Sequence, residues 1–153
     1  MKLHLVSIVL LCSILASAKA NANPDPFKRI IKGNDSDNKI ILGYVDLGAN
    51  GYDGNDNIIG NRRDNILDGG SGNDTIAAHE GDDIIIPGKG RDKVQGGEGI
   101  DTVIYEDKLY RNTNIRTLSH NHLVNIDNED MLVDIEFIQF ADRKIEVETL
   151  YDN

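Results

Sequence analysis

The sequence is short of the usual means of holding a small protein together. Tryptophan is absent, aromatic residues make up 5%, and there is one cysteine, Cys12. A single cysteine cannot form a disulfide within the chain, so a disulfide scaffold is excluded. Few aromatics and 39% hydrophobic residues over 153 positions leave material for one domain with a thin core. Basic residues are also scarce, with 16 against 26 acidic ones and a net charge of -10. Such a chain repels nucleic-acid backbones and anionic lipid surfaces, and attracts cations.

Long apolar runs are missing except near the start. Leu5 to Ala16 is an uncharged, mostly apolar stretch of 12 residues. It is short of the roughly 18 to 20 residues needed to span a bilayer. Lys2 precedes it, and the small-x-small sequence Ala18-Lys19-Ala20 follows, with Ala20-Asn21-Ala22 in the next frame. This is the layout of a secretory signal peptide over residues 1–20, so a secreted or periplasmic protein with no membrane span after cleavage is expected. Leu11 stands where a lipid-attachment box needs a small residue, which argues against lipidation of Cys12. Cleavage takes Lys2 and Lys19 from the 16 basic residues, leaving 14 against 26 acidic, a net charge of -12.

What the chain does have is glycine in one place. All but three of its 15 glycines lie between Gly51 and Gly99, and none follows. From Gly51 the chain divides into six units of nine: GYDGNDNII, GNRRDNILD, GGSGNDTIA, AHEGDDIII, PGKGRDKVQ and GGEGIDTVI. Position four reads Gly54, Arg63, Gly72, Gly81, Gly90, Gly99, and position six reads Asp56, Asn65, Asp74, Asp83, Asp92, Asp101. Position eight is always aliphatic: Ile58, Leu67, Ile76, Ile85, Val94, Val103. An earlier unit, Gly33 to Ile41, fits with Asn38 and Ile40, whereas Leu42 to Asn50 fits poorly. A disordered Gly/Asn/Asp-rich segment has no reason to keep that phase.

The unit has a physical reading. Positions seven to nine form a short strand whose central aliphatic points inward, and positions one to six form a turn. Glycine recurs in the turn where the backbone needs positive φ or close approach. Three residues are too few for a freestanding strand, so coils of 18 residues must stack. Stacking puts Asp56, Asp74 and Asp92 on one edge, and Asn65, Asp83 and Asp101 on the other. Coils about 4.8 Å apart bring successive carboxylates close enough to repel by about 1 kcal/mol in water, and about 4 kcal/mol at an effective dielectric near 20. A hard divalent cation between them reverses the sign, and turn carbonyls can complete its oxygen shell. Calcium suits that flexible cage better than magnesium or a transition metal.

Gly69-Gly70-Ser71-Gly72-Asn73-Asp74-Thr75-Ile76 and Gly96-Gly97-Glu98-Gly99-Ile100-Asp101-Thr102-Val103 follow the pattern G-G-x-G-x-D-x-U-x, with U a large aliphatic. In this the chain resembles the repeats-in-toxin, or haemolysin-type, calcium-binding family. The resemblance implies an all-β, right-handed parallel β-roll with calcium between stacked turns. The ligand aspartates it implies are Asp56, Asp74, Asp83, Asp92 and Asp101, and the turn glycines offering carbonyls are Gly54, Gly72, Gly81, Gly90 and Gly99. Four gaps separate adjacent turns on one edge: 56/74, 74/92, 65/83 and 83/101. The turn with Arg63 for glycine and Asn65 for aspartate is expected to be a weak or empty site, with Arg63 a candidate internal cation. Pro87 and Ala78 replace first glycines. Asp53, Asp68 and Asp82 are candidate extra ligands, with a solvated acidic face as the default reading.

After Ile104 the phase stops. Thr102–Tyr105, Ile115–Leu118, His122–Ile126, Leu132–Phe140 and Ile145–Leu150 read as strands. An open roll ends in an unpaired edge, so a cap over the last coil is expected. The run Met131 to Asp142 is similar to a segment that often follows such repeats. The expected organisation is therefore a leader over 1–20, a lead-in with one degenerate repeat over 21–50, a roll over 51–104 and a C-terminal β-strand cap over 105–153.

No catalytic centre is expected. His79-Glu80 opens like H-E-x-x-H, but Asp83 stands where the second histidine belongs. Asn73 breaks G-x-S-x-G around Ser71, and the glycines at Gly88 and Gly90 precede no helix. His120 and His122 read as a surface pair. The expected function is an exported, non-catalytic calcium-binding protein. The alternative is a calcium-dependent glycan-binding or adhesion module, its partner an extracellular polysaccharide or cell-surface component, although Tyr52, Tyr105 and Tyr110 are dispersed.

Overall fold

The computed structural model describes residues 29–118, 123–127 and 129–150. Nine strands succeed one another in the first part: Ile30–Lys32 (β1), Lys39–Ile41 (β2), Gly48–Asn50 (β3), Asn57–Ile59 (β4), Ile66–Asp68 (β5), Thr75–Glu80 (β6), Ile84–Ile86 (β7), Lys93–Glu98 (β8) and Thr102–Tyr105 (β9). The tail adds Ile115–Leu118 (β10), Leu123–Ile126 (β11), Asp130–Val133 (β12), Phe137–Phe140 (β13) and Lys144–Glu146 (β14). Short 3-10 turns lie at Tyr110–Asn112 and Val147–Leu150. Among the described residues no helix is long and apolar enough to cross a membrane.

The strands alternate between two sheets. One has the order β1-β3-β5-β7-β9-β13-β14 and the other β10-β11-β12-β8-β6-β4-β2. From β1 to β9 every pairing is parallel and offset by one 18-residue coil. Ile40, Ile58, Ile76 and Val94 are therefore register partners down one sheet. Ala49, Leu67, Ile85 and Val103 are partners down the other. All eight are buried and meet in one core. Full burial of each larger aliphatic contributes roughly 1.5–3 kcal/mol. That burial lets strands of three residues persist, as the nine-residue phase predicts. The fold is a parallel β-roll of nonapeptide repeats.

The stack begins earlier than expected. Leu42 to Asn50, read as out of phase, is a working half-coil: β3 lies between β1 and β5, with Ala49 buried at position eight. The ladder reaches Ile30 and runs unbroken across the boundary expected at Gly51. The phase was hidden because this turn lacks the usual glycine and aspartate. Its buried Asp46 instead accepts from the Gly43 N–H at 2.7 Å and from Arg29 Nε at 2.7 Å. The Arg29 hydrogen bond holds the Asp46 carboxyl below its ordinary range.

The tail does close the roll. β12 pairs in parallel with β8, placing Leu132 on Val94, and β13 pairs in parallel with β9, placing Ile138 on Val103. β10, β11 and β12 then run antiparallel, as do β13 and β14. The strand expected over Leu132–Phe140 is two strands in different sheets. Asp134, at φ 52°, turns the chain from one sheet to the other. The strand expected to reach Leu150 stops at Glu146 and becomes a 3-10 turn. Phe140 stacks on Tyr105 at 5.9 Å and meets Tyr110 edge-on at 5.7 Å. The leader, Cys12, His120 and His122 lie outside the described residues.

Candidate metal centre

Each position-six side chain is fixed by the coil before it. The Asp56 main-chain N–H donates to Asp74 Oδ1 at 2.7 Å, and the Asp74 N–H donates to Asp92 Oδ1 at 2.8 Å. On the other edge the Asn65 N–H donates to Asp83 Oδ1 at 2.6 Å, and the Asp83 N–H to Asp101 Oδ1 at 2.9 Å. One oxygen of each carboxylate thus holds the stack together. The other is left over. Oδ2 of Asp56, Asp74, Asp83, Asp92 and Asp101 is buried with no hydrogen-bond partner. A buried carboxylate oxygen without a partner costs on the order of 1–3 kcal/mol or more. Five of them in two columns are a systematic deficit rather than a local flaw.

The leftover oxygens of Asp56, Asp74 and Asp101 point at the start of their own turns. A Cβ added to Gly69 would fall on Asp74 Oδ2 and on the Pro87 carbonyl oxygen of the next coil. The same pair of crowding atoms recurs at Gly51, with Asp56 Oδ2 and the Gly69 carbonyl. Each such cradle is lined by a carboxylate oxygen and a main-chain carbonyl from the neighbouring coil. Gly54, Gly72, Gly81, Gly90 and Gly99 all adopt positive φ, from 120° to 141°. At Gly72 a Cβ would also collide with the Gly54 carbonyl one coil away, so both conformation and spacing require glycine there. The structure therefore puts all ten predicted positions in the two turn columns. Among the described residues no three His, Cys, Asp or Glu side chains converge on one point, so a metal here would draw on carbonyls as much as carboxylates.

Burial sets the electrostatics. Desolvation pushes Asp83 and Asp92 up to about 7, against partial relief from the amide each accepts, and neighbouring carboxylates push the same way. Asp74 and Asp101 are pushed to about 6 for the same reasons. These groups resist ionisation until something positive arrives.

The turn of Asn65 is built differently. Asn65 Oδ1 accepts from the Asn61 N–H at 2.8 Å, and its Nδ2 donates back to Asn61 Oδ1 at 3.3 Å. Asn38 makes the same exchange with Asn34. A G-N-x-x-D-N turn thus closes on itself through uncharged side-chain amides. Arg63 is not an internal cation. Its guanidinium lies over the exposed Tyr44 ring, 4.2 Å from the centroid.

Two sets of residues escaped the sequence reading. Position five carries a second ladder running the opposite way. Asp37 Oδ1 accepts from the Asn55 N–H, Asn55 Oδ1 from Asn73, and Asn73 Oδ1 from Arg91. On the other edge Asp64 and Asp82 accept from the N–H groups of Asp82 and Ile100. Asp82, although exposed, is therefore also a structural acceptor. Its signal was the run of Asp and Asn at position five. The second set lies in the tail. Asp130 Oδ1 accepts from the Asp92 N–H at 2.9 Å, and Glu136 Oε2 from the Asp101 N–H at 2.7 Å. Asp130-Met131-Leu132 and Glu136-Phe137-Ile138 repeat the acid-x-aliphatic spacing of positions six to eight without the glycines.

Residues that resemble catalytic motifs are absorbed by the coil. The Ser71 N–H donates to the Tyr52 carbonyl, and its own carbonyl accepts from Gly54. His79 adopts φ 83° within β6, beside Gly97 of β8.

No curated protein matches the chain. Among solved structures, the crystal structure of the extracellular lipase LipA from Serratia marcescens is similar at 24% identity and a TM-score of 0.49. That similarity covers 60% of this chain and 15% of that one, so the chain spans a small part of the lipase's length. Residues 50–85 and 86–104 match the RTX calcium-binding nonapeptide repeat (4 copies). The five aspartates of the two turn columns, Asp56, Asp74, Asp83, Asp92 and Asp101, all lie within the residues that match this repeat.

Proposed function

We propose that this is an exported, non-catalytic calcium-binding protein whose roll is completed by the ion. The observation that carries the reading is the set of five buried, unpartnered carboxylate oxygens on Asp56, Asp74, Asp83, Asp92 and Asp101. Calcium takes six to eight oxygen ligands in a flexible shell, which fits cradles made of carboxylates and carbonyls. Asp56, Asp74, Asp83, Asp92 and Asp101 would hold it, with carbonyls from turns that include Gly54, Gly72, Gly81, Gly90 and Gly99. The ion would supply the positive charge that the buried carboxylates lack. Extracellular modules of this chemistry have dissociation constants of about 10⁻⁴ to 10⁻³ M. An ion that binds only the folded chain stabilises it by about 2.7 kcal/mol at a hundred times that constant. Export rests on the leader pattern at residues 1–20.

Calorimetry of the mature chain with calcium, beside circular dichroism in excess chelator, tests the reading. Calcium uptake with a gain of β signal is expected. The same β content and melting temperature with and without calcium would overturn it. A glycan-binding role gains little support. Tyr105 is buried and Tyr110 packs on Phe140, which leaves Tyr52 as the exposed member of the three aromatics. A glycan array with and without calcium separates the two readings.

A further inference from the structure

The two columns end differently where the repeats give way to the tail. On the edge of Asp92, Asp130 takes the next place, and its Oδ2 accepts from the buried Tyr105 hydroxyl at 2.8 Å. Lys108 stands nearby, its Nζ 3.1 Å from Asp127 and 3.6 Å from Glu129, and its charge acts favourably on both Asp92 and Asp130. The tail residue at that end, Asp130, is thus satisfied by the protein's own hydroxyl, although Asp92 Oδ2 is left without a partner. On the edge of Asp101, Glu136 takes the next place by accepting from the Asp101 N–H. Asp101 Oδ2 stays buried and unpartnered. A Cβ added to Gly96 would fall on both Asp101 Oδ2 and the Asp134 carbonyl oxygen, so these two oxygens face the same small space. The side chains that act electrostatically on Asp101 here are carboxylates: Glu136, Asp82 and Asp134.

We infer that the tail contributes half of a divalent-cation site at this junction. Asp101 and the Gly96 cradle supply the repeat half, and the Asp134 carbonyl and the Glu136 carboxylate supply the tail half. The site rests on the calcium reading of the repeats and extends it to residues outside them. It gives the tail a reason to dock only when calcium is present, because Asp134 and Glu136 lie between β12 and β13, the two strands that cover the last coil.

The test uses the full mature chain and calcium. Calorimetry is run on the wild type, on Glu136→Gln and on Asp74→Asn as a control within the repeats. Near-ultraviolet dichroism of Tyr105 and Tyr110 reports tail docking. Glutamine keeps an acceptor for the Asp101 amide, so Glu136→Gln should still fold, bind one calcium fewer, and lose the calcium dependence of the tyrosine signal. Unchanged stoichiometry and affinity in Glu136→Gln, with Asp74→Asn impaired, would overturn the junction site and leave the repeat sites standing. A wild type that takes up no calcium would overturn both. A calcium-loaded crystal of the wild type decides without a substitution: metal bonded to Asp101 and the Asp134 carbonyl supports the site, and a bare junction beside occupied repeats refutes it.

Discussion

At the scale of single residues, two kinds of position-six side chain stand at equivalent places in the stack. Asn38 and Asn65 satisfy both ends of their amides with Asn34 and Asn61. The five aspartates leave an oxygen bare. The difference suggests an exchange. Asn65→Asp should create another bare oxygen, lowering metal-free stability by about 1–3 kcal/mol while adding calcium uptake. Denaturant melts in chelator and calcium titration check both halves. Asp83→Asn should do the reverse, binding one ion fewer and melting higher than the wild type in chelator. The aspartates and the turn glycines were legible in the sequence as two columns, because each recurs at a fixed place in the nine. The position-five acceptors were not. Asp37, Asn55, Asn73, Asp64 and Asp82 look like ordinary turn polar residues until stacking brings each within reach of an amide 18 residues on.

Among the elements, the parallel strands owe their existence to their neighbours. Position-six side chains bind back to the preceding coil and position-five side chains bind forward to the next, so every turn is gripped from both sides. Gly72→Ala should break this at one point, since φ 139° and the Gly54 carbonyl both oppose a methyl group. A cost of roughly 1–3 kcal/mol or more is expected, measured as loss of stability in saturating calcium. Tyr105→Phe should strip Asp130 Oδ2 of its donor and cost about 1–3 kcal/mol in the same measurement, with calcium stoichiometry unchanged. The tail was partly legible as strands. Leu132–Phe140 read as one because Leu132, Ile138 and Phe140 are all apolar, and only the left-handed turn at Asp134 reveals that they belong to two sheets.

For the whole molecule, pH and calcium act on one set of groups. Without metal, Asp74, Asp83, Asp92 and Asp101 titrate at about 6 to 7 when folded, against an ordinary value of 3.8. The folded chain therefore holds protons that the unfolded chain has already released. Its stability in chelator should be greatest below about pH 4 from this source and decline as pH rises through about 7. Calcium must displace those protons, so its affinity should climb over the same upper range. Melting temperatures across pH, with chelator and with calcium, give two curves that diverge with rising pH; parallel curves would contradict the scheme.

The constant 18-residue register also makes the molecule a measuring rod. Excising Gly69–Ile86 would set Ile58 against Val94 and Leu67 against Val103, the same kinds of partners as before. The rod should shorten by about 4.8 Å, keep its two ends in phase, and lose the carboxylates of Asp74 and Asp83. Excising a single nine would shorten it by half as much and turn one end by half a revolution about the axis. Length and orientation of whatever the ends carry are thereby set in discrete steps, by counting nonapeptides.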